Sequence, residues 1–301
     1  MDKIRFKVSI IIPNYNGQEH LKRLLPSIAN QNFDDYEVLI IDDYSPDRSV
    51  LDYIKSFIKD YRNFNLVENN ENLGFVKTCN KGIGLARGDY ICLLNNDTEV
   101  KSNFVQRNVE IVDADSSIGV LSCIIVDKHG KNWFSGGSFK SGLNVNLVDD
   151  FQGVRTVDWV SGTACFYRRD VFNKVGLLDE DFFMYHEDIE FCLRVRSKTD
   201  YKVCMFSDKL VTHYLGVSLG YNSWYYFHRN HILLLKRYCP KYIPKVLILR
   251  SLREIIALII VYTLKLRLVY ALMGIIAIIR GTRDGLMSEK RKKPKAAQNR
   301  L

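Results

Sequence analysis

Three polar residues, Asn95, Asn96 and Asp97, follow directly on the apolar run Tyr90–Leu94. Their oxygens are hard donors of the kind Mg²⁺ and Mn²⁺ take, and such cations are usually held by one or two carboxylates together with substrate phosphates. Taken by itself the segment is more economically a turn and N-cap ahead of a helix over 102–115. Asp43 closes another apolar run, Val38–Ile41. A carboxylate there can accept from a base N–H or a ribose hydroxyl, and it can equally form an Asx-turn or cap a helix over 47–61. A second acidic group, Asp179-Glu180-Asp181 with His186-Glu187-Asp188, stands at the start of a helical pattern over 186–198. Acids at that end complement the helix dipole, and a helix also mounts a general base rigidly. His213 ends the strand-like KLVTHYLG, where neutral imidazole suits Mn²⁺ and a plain surface role is the commoner use. Arg229, inside YYFHRNH, can reach a phosphate or pair with an acid.

The elements that must position these groups are legible as alternation. Short apolar runs (Val8–Ile12, Val38–Ile41, Phe64–Val67, Tyr90–Leu94) alternate with amphipathic stretches over about 18–31, 47–61 and 75–87. That pattern predicts an α/β fold, Rossmann-like, with a mostly parallel sheet and helices on both faces. The runs end in Pro13-Asn14-Tyr15-Asn16, Asp42-Asp43, Glu68-Asn69-Asn70 and Asn95-Asn96-Asp97. Parallel strands point one way, so four polar ends gather on one edge, where open α/β sheets bind ligands. Further strands are expected over 118–126 and 163–167. The turn after Val8–Ile12 carries no GxGxxG, and no GxxxxGK[ST] occurs, which speaks against a hydride-transferring or P-loop enzyme.

The chain has 301 residues and a formal charge of +9. Residues 241–301 hold 14 Lys and Arg against 3 Asp and Glu, leaving 29 against 31 for residues 1–240. The main body therefore lacks the cations a nucleic-acid backbone requires. Seven scattered cysteines without a CxxC pair read as reduced thiols of a cytosolic protein, and no secretion signal is expected from the N-terminal residues. Residues 1–240 are expected to form one domain and 241–301 a basic C-terminal region. Its apolar runs, Ile255–Leu264 and Leu268–Ile279, are too short to span a bilayer. They fit amphipathic helices lying in a membrane interface, followed by the cationic EKRKKPK; a core helical pair with a solvated tail is the other reading.

In order along 8–238, the segments VSIIIPNYNGQEHLKRLLPSI, EVLIIDDYSPDRS, NENLGFVKTCNKGI, YICLLNNDTEV, VSGTACFYRRDVFNKVGLLDEDFFMYHEDIEFCLRV, VTHYLGVS and YYFHRNHILLLKRY resemble the family 2 glycosyltransferases of GT-A fold. The resemblance is to their rhamnosyltransferase-like branch. It implies that Pro13 and Asp43 hold the nucleotide base and ribose, and that Asn72, Gly74, Lys77 and Asn80 flank the nucleotide. It makes Asp97 the metal ligand at the last position of DxD, with Asn95 at the first, and sets Asn96 near ribose or donor sugar. Asp188 corresponds to the catalytic base of the ED motif, His213 to a histidine near the metal and diphosphate, and Arg229 to a late cationic position. The same resemblance implies an inverting hexosyl transfer that depends on Mn²⁺ or Mg²⁺. The donor would be a dTDP- or UDP-sugar, rhamnose among the candidates. The acceptor would be a cell-surface glycan or lipid-linked sugar, met at the cytoplasmic face of the inner membrane by a peripheral enzyme. Two other classes share parts of this pattern: a sugar-nucleotide nucleotidyltransferase, which would want a Gly-rich cationic loop after the first strand, and a non-catalytic sugar-nucleotide-binding protein.

Overall fold

The computed structural model describes residues 6–214, 221–247, 253–256 and 268–288. The chain forms two compact units. Within the described residues, the first comprises 6–138, 146–180 and 187–214, and the second 139–145, 181–186 and the helical residues from 221 onward.

The first unit is built on a sheet whose central strands are β1 (Phe6–Asn14), β2 (Tyr36–Asp42), β3 (Phe64–Glu68) and β4 (Gly88–Leu94), all mutually parallel. β1 and β2 are buried along nearly their whole length, which is why they read as unbroken apolar runs rather than alternating ones. Helices α1 (Gln18–Ala29), α2 (Ser49–Ile58) and α3 (Phe75–Leu85) form the connections between them. After α4 (Phe104–Ala114) come β6 (Ile118–Asp127), β11 (Ala164–Arg168), α5 (Arg169–Val175), α6 (Glu187–Lys198) and β12 (Lys202–His213). Between β6 and β11 lie the short β7 (Asn132–Phe134), β8 (Gly136–Lys140), β9 (Leu143–Leu147) and β10 (Val154–Thr156), and the strand order of the large sheet is β10-β12-β6-β11-β4-β1-β2-β3.

β11 runs antiparallel to both of its neighbours, β4 and β6. Two reversals restore the original direction, so β6 and the parallel β12 point the same way as β4. The end of β12 therefore lies on the same edge as the ends of β1–β4. There the short β5 (Thr98–Val100), just past Asp97, pairs antiparallel with β12 and sets His213 opposite Thr98.

At the starts of the strands, Glu37 is fully buried. Its carboxylate accepts from Ser9 Oγ at 2.7 Å, from the Arg87 backbone N–H at 2.7 Å, and from Arg87 Nε and Nη2 at 2.9 and 2.6 Å. A buried charge is tolerable only when paired and hydrogen-bonded in this way, and this one ties β1, β2 and the entry to β4 together.

In the second unit, α7 (Tyr221–Tyr238), α8 (Ile243–Val246) and α9 (Leu268–Met287) surround a small core of Ile232, Leu235 and Val246, with Phe139 and Ile243 packed against it. α7 and α9 approach at backbone distance: a Cβ on Gly281 would stand 2.3 Å from the Tyr225 carbonyl, and one on Gly285 2.7 Å from that of Arg229. Only glycine fits such crossings. The apolar run Leu268–Ile279 lies in α9. Apart from Ile255 and Ile256, the run Ile255–Leu264 lies outside the described residues, as does EKRKKPK. Among the described residues no helix is long and apolar enough to cross a membrane.

Candidate active site

The strand ends are joined by a buried hydrogen-bond chain. Asn14, closing β1, donates through Nδ2 to Asp42 Oδ1 at 2.9 Å and accepts from Asn96 Nδ2 at 2.8 Å. Asp42 in turn accepts from the Ser45 amide and hydroxyl at 2.9 and 2.6 Å, an Asx-type turn. Gly17 backs this chain so closely that a Cβ would fall 2.1 Å from Asn96 Nδ2 and 2.5 Å from Asn14 Oδ1. Pro13 is buried in β1, beyond the last residue paired with β4, where its missing N–H leaves no gap in that ladder. Tyr15 and Tyr44, which follow β1 and β2, are half exposed.

Asp43 is buried and does not cap the following helix. Its Oδ1 accepts from Asn69 Nδ2 and the Leu73 amide, both at 2.8 Å, and its Oδ2 from the Gly74 amide at 2.9 Å. It thus holds the loop that starts α3, where Gly74 takes a left-handed φ of 82°. Asn72 Oδ1 shares the Gly74 N–H at 3.2 Å. Asn80 is buried and has both ends of its amide on the Leu178 backbone, at 2.9 and 3.0 Å, 98 residues away. Lys77 projects from α3 into solvent.

Asp97 Oδ2 lies 3.1 Å from His213 Nε2, and the Trp133 ring stands edge-on to that imidazole at 4.5 Å. Three neighbouring polar atoms are buried without a hydrogen-bond partner among the described residues: Asp97 Oδ1, Asn95 Oδ1 and His213 Nδ1. Orphaned buried acceptors are costly and mark a missing ligand or water. Two amide and carboxylate oxygens and an imidazole are a donor set that suits Mn²⁺ or Mg²⁺ completed by phosphate oxygens. Among the described residues no three His, Cys, Asp or Glu side chains converge on one point, so Asp97 and His213 with Asn95 are the donors on offer.

Asp188 lies in the first turn of α6. Its Oδ2 accepts from the Gly162 amide at 3.0 Å and its Oδ1 from its neighbour Ile189 at 2.8 Å. The next residue along from Gly162, Thr163, accepts the Asn95 amide at 2.9 Å. One tripeptide, Ser161-Gly162-Thr163, therefore bridges the NND turn and the acid pair. Burial raises the Asp188 carboxyl above its ordinary range, and the Gly162 and Ile189 amides pull it part of the way back. Glu187 is pushed up to about 8, by burial first and by the charge of Asp188 second, and its Oε2 has no partner among the described residues.

Arg229 belongs to the second unit, where its Nη1 donates to the Asp181 carbonyl at 2.6 Å and to Asn230 Oδ1 at 2.7 Å. Six of the cysteines are buried, and burial pushes Cys123, for one, up to about 12, so thiolate nucleophiles are not on offer there. Sequence reasoning missed Asn14, Asp42, Gly17 and Gly162, all of which act by positioning others. The glycines beside polar strand ends were the available signal.

Residues 9–176 match the family model described as Glycosyl transferase family 2. The chain belongs to that family. It is 24% identical over 218 residues to the amylovoran biosynthesis glycosyltransferase AmsB of Erwinia amylovora, covering 70% of this chain and 71% of the relative. This family 2 glycosyltransferase superposes on GalNAc-T7, solved with UDP, GalNAc and Mn²⁺, with a TM-score of 0.66 at 17% identity over 80% of the chain. It superposes on S. aureus TarS 1-349, solved with UDP-GlcNAc, with a TM-score of 0.58 at 18% identity over 76% of the chain. The fold is that of the GT-A glycosyltransferases. The family 2 chain spans 49% of GalNAc-T7 and 66% of the TarS chain.

An acid whose folded pKa is raised holds its proton more tightly folded than unfolded. For Glu187 the cost of ionising in place is absent below its ordinary value of 4.5 and grows as pH rises towards about 8. Glu187→Gln should therefore gain thermal stability relative to the native chain as pH increases across that window. A difference in melting temperature that stays flat with pH would refute the assignment.

Proposed function

We propose that this family 2 glycosyltransferase moves a sugar, with inversion, from a nucleoside-diphosphate donor to a hydroxyl of a growing cell-surface glycan or lipid-linked acceptor. The observation that carries the reading is the Ser161-Gly162-Thr163 bridge. Its Gly162 amide donates to Asp188, a carboxylate of raised proton affinity, and its Thr163 carbonyl accepts from the Asn95 amide of the Asn95–Asp97 turn. A general base and a diphosphate-binding turn must be that close if one displacement is to use both.

Asp188 accepts the proton of the acceptor hydroxyl as that oxygen bonds to the anomeric carbon. The bond from that carbon to the diphosphate oxygen breaks on the opposite face, so one displacement inverts the configuration. Asp97 and His213, with Asn95, would hold a divalent cation, which when bound supplies positive charge for the diphosphate. Pro13 and the Asp43-ordered loop with Asn72 and Gly74 border the base and ribose. Asn80 fixes the α3 wall, and Lys77 adds cationic reach towards the phosphates. Asn96 faces ribose or donor sugar, and the half-exposed Tyr15 and Tyr44 suit stacking. The UDP and UDP-GlcNAc complexes of the structural neighbours put UDP-sugars first among donors, with dTDP-rhamnose next. The turn after β1 holds no cation and one glycine, Gly17, which disfavours a nucleotidyltransferase. A non-catalytic binder has no use for a base of raised proton affinity.

The C-terminal region is read as a peripheral membrane contact. On α9, Leu272, Met273, Ile276 and Ile279 are exposed, with Arg280 and Arg283 exposed beyond them. An apolar face edged by cations suits an anionic lipid interface.

A thermal-shift screen of UDP-, dTDP- and GDP-sugars with and without Mn²⁺ should select one donor whose stabilisation requires the cation, and Asp97→Ala should lose the cation's contribution. Equal shifts with chelator present would end the metal reading. Asp188→Asn should bind that donor normally and lose at least about 10³-fold in transfer; near-native turnover would remove the base assignment. Cosedimentation with vesicles containing phosphatidylglycerol should fall when Leu272, Ile276 and Ile279 are changed together to Asp, and undiminished binding would contradict the α9 interface.

A further inference from the structure

Trp133 is a large aromatic residue left half-buried at the ligand edge. It belongs to β7, which pairs antiparallel with the far end of β6, Phe134 opposite Ile125 and Asn132 opposite Val126. On the other side of the same end of β6, Thr212 lies beside Val126 and His213 beside Asp127. The indole stands edge-on to the His213 ring at 4.5 Å, and His213 Nε2 lies 3.1 Å from Asp97 Oδ2. Successive side chains of a strand point to opposite faces. Phe134 accordingly turns the other way, fully buried, with its ring 5.0 Å from that of Trp159.

The backbone that carries Trp133 is firmly braced. Ser135 donates its amide to the Leu147 carbonyl at 2.8 Å and its hydroxyl to Asp149 Oδ1 at 2.9 Å, and its carbonyl accepts from Arg155 Nη2 at 2.6 Å. The Gly137 amide donates to the Trp159 carbonyl, and the Gly137 carbonyl accepts from the Asp158 amide, both at 2.9 Å. The Trp159 ring lies so close against Gly137 that a Cβ there would stand 2.0 Å from it. Two residues beyond Trp159 begins Ser161-Gly162-Thr163, whose Gly162 amide donates to Asp188 Oδ2. Trp133 therefore touches the Asp97–His213 pair directly, and Phe134 and Trp159 join its strand to the segment that touches Asp188. All of these groups belong to the first unit.

We propose that Trp133 binds the sugar that is transferred, with the apolar face of the sugar ring packed on the exposed part of the indole. The proposal rests on the reading of Asp97 and His213 as the diphosphate end of the site. A pyranose carries its hydroxyls around the rim and C–H bonds on its faces. Such a face on an aromatic ring removes apolar surface from water and meets the negative face of the π-system. The transferred sugar is bonded to a phosphate whose oxygens complete the shell of a cation on Asp97 and His213. It must then lie beside those side chains, on the way to Asp188. Among the described residues, Trp133 is the aromatic ring in contact with His213. A tryptophan left half in water there forgoes burial that a sugar ring restores.

The test is titration calorimetry on the full chain with Mn²⁺, comparing the nucleotide sugar selected by the thermal-shift screen with its bare nucleoside diphosphate. Trp133→Leu should weaken the nucleotide sugar about 3- to 10-fold and leave the bare nucleoside diphosphate within about twofold of native. Trp133→Phe, which keeps a ring, should fall between Trp133→Leu and the native chain for the nucleotide sugar. A residue that only supports His213 would weaken both ligands alike. Because the ratio of the two affinities compares two ligands on one folded protein, it reads the contact even in a variant that melts earlier. Equal losses for the two ligands in Trp133→Leu, or an undiminished affinity for the nucleotide sugar, would overturn the proposal. Failure of the diphosphate reading would register elsewhere, as bare nucleoside diphosphate binding that is unchanged in Asp97→Ala.

Discussion

The reversed strand β11 is the constraint on which the site depends. A sheet of purely parallel strands collects only strand ends at its ligand edge, and everything that precedes a strand lies at the other edge. Because β11 runs against β4, with Ala164 beside Leu94, the residues just before it lie at the ligand edge. Those residues are Ser161, Gly162 and Thr163, and their backbone touches both the NND turn and the acid pair. The second reversal at β6 returns β12 to the common direction, which delivers His213 to the same edge.

Around that edge the polar residues divide into those that build the site and those left to act. Asn14, Asp42, Asp43 and Asn80 are buried, and the hydrogen bonds they make go to protein partners. In a low-dielectric setting such satisfied networks hold geometry firmly. Asp97, Asn95, His213 and Glu187 each keep a buried polar atom without a partner among the described residues. An unmet buried group costs about 1–3 kcal/mol, and a fold that tolerates several in one place gains most if a ligand meets them.

The same division runs through the second unit. Arg229 reads in sequence as a cation for phosphate, and in the structure its Nη1 serves the turn at Asp181. Asn230 has no chemistry to recommend it in sequence, yet it is buried and holds two carbonyls of a left-handed turn. Which carbonyls it meets is a property of the backbone conformation opposite, which residue type does not reveal.

Much of the first unit was legible in the chain. Apolar runs of four or five residues between amphipathic stretches identified β1 to β4 and their helices, because a strand buried on both faces has no room for alternation. The placing of polar residues at their ends followed from parallel direction alone. Composition located the basicity in residues 241–301 and kept it out of the main body. Only tertiary structure decided partnership. The two aspartates of Asp42-Asp43 are interchangeable in sequence, yet one folds its own turn and the other holds the start of a helix about thirty residues on. Nothing local reverses β11, since strand direction is set by long-range pairing, and without that reversal Gly162 and Thr163 would have no reason to matter. Periodicity records which face a residue buries; it carries no record of which distant carbonyl, amide or carboxylate that residue will meet.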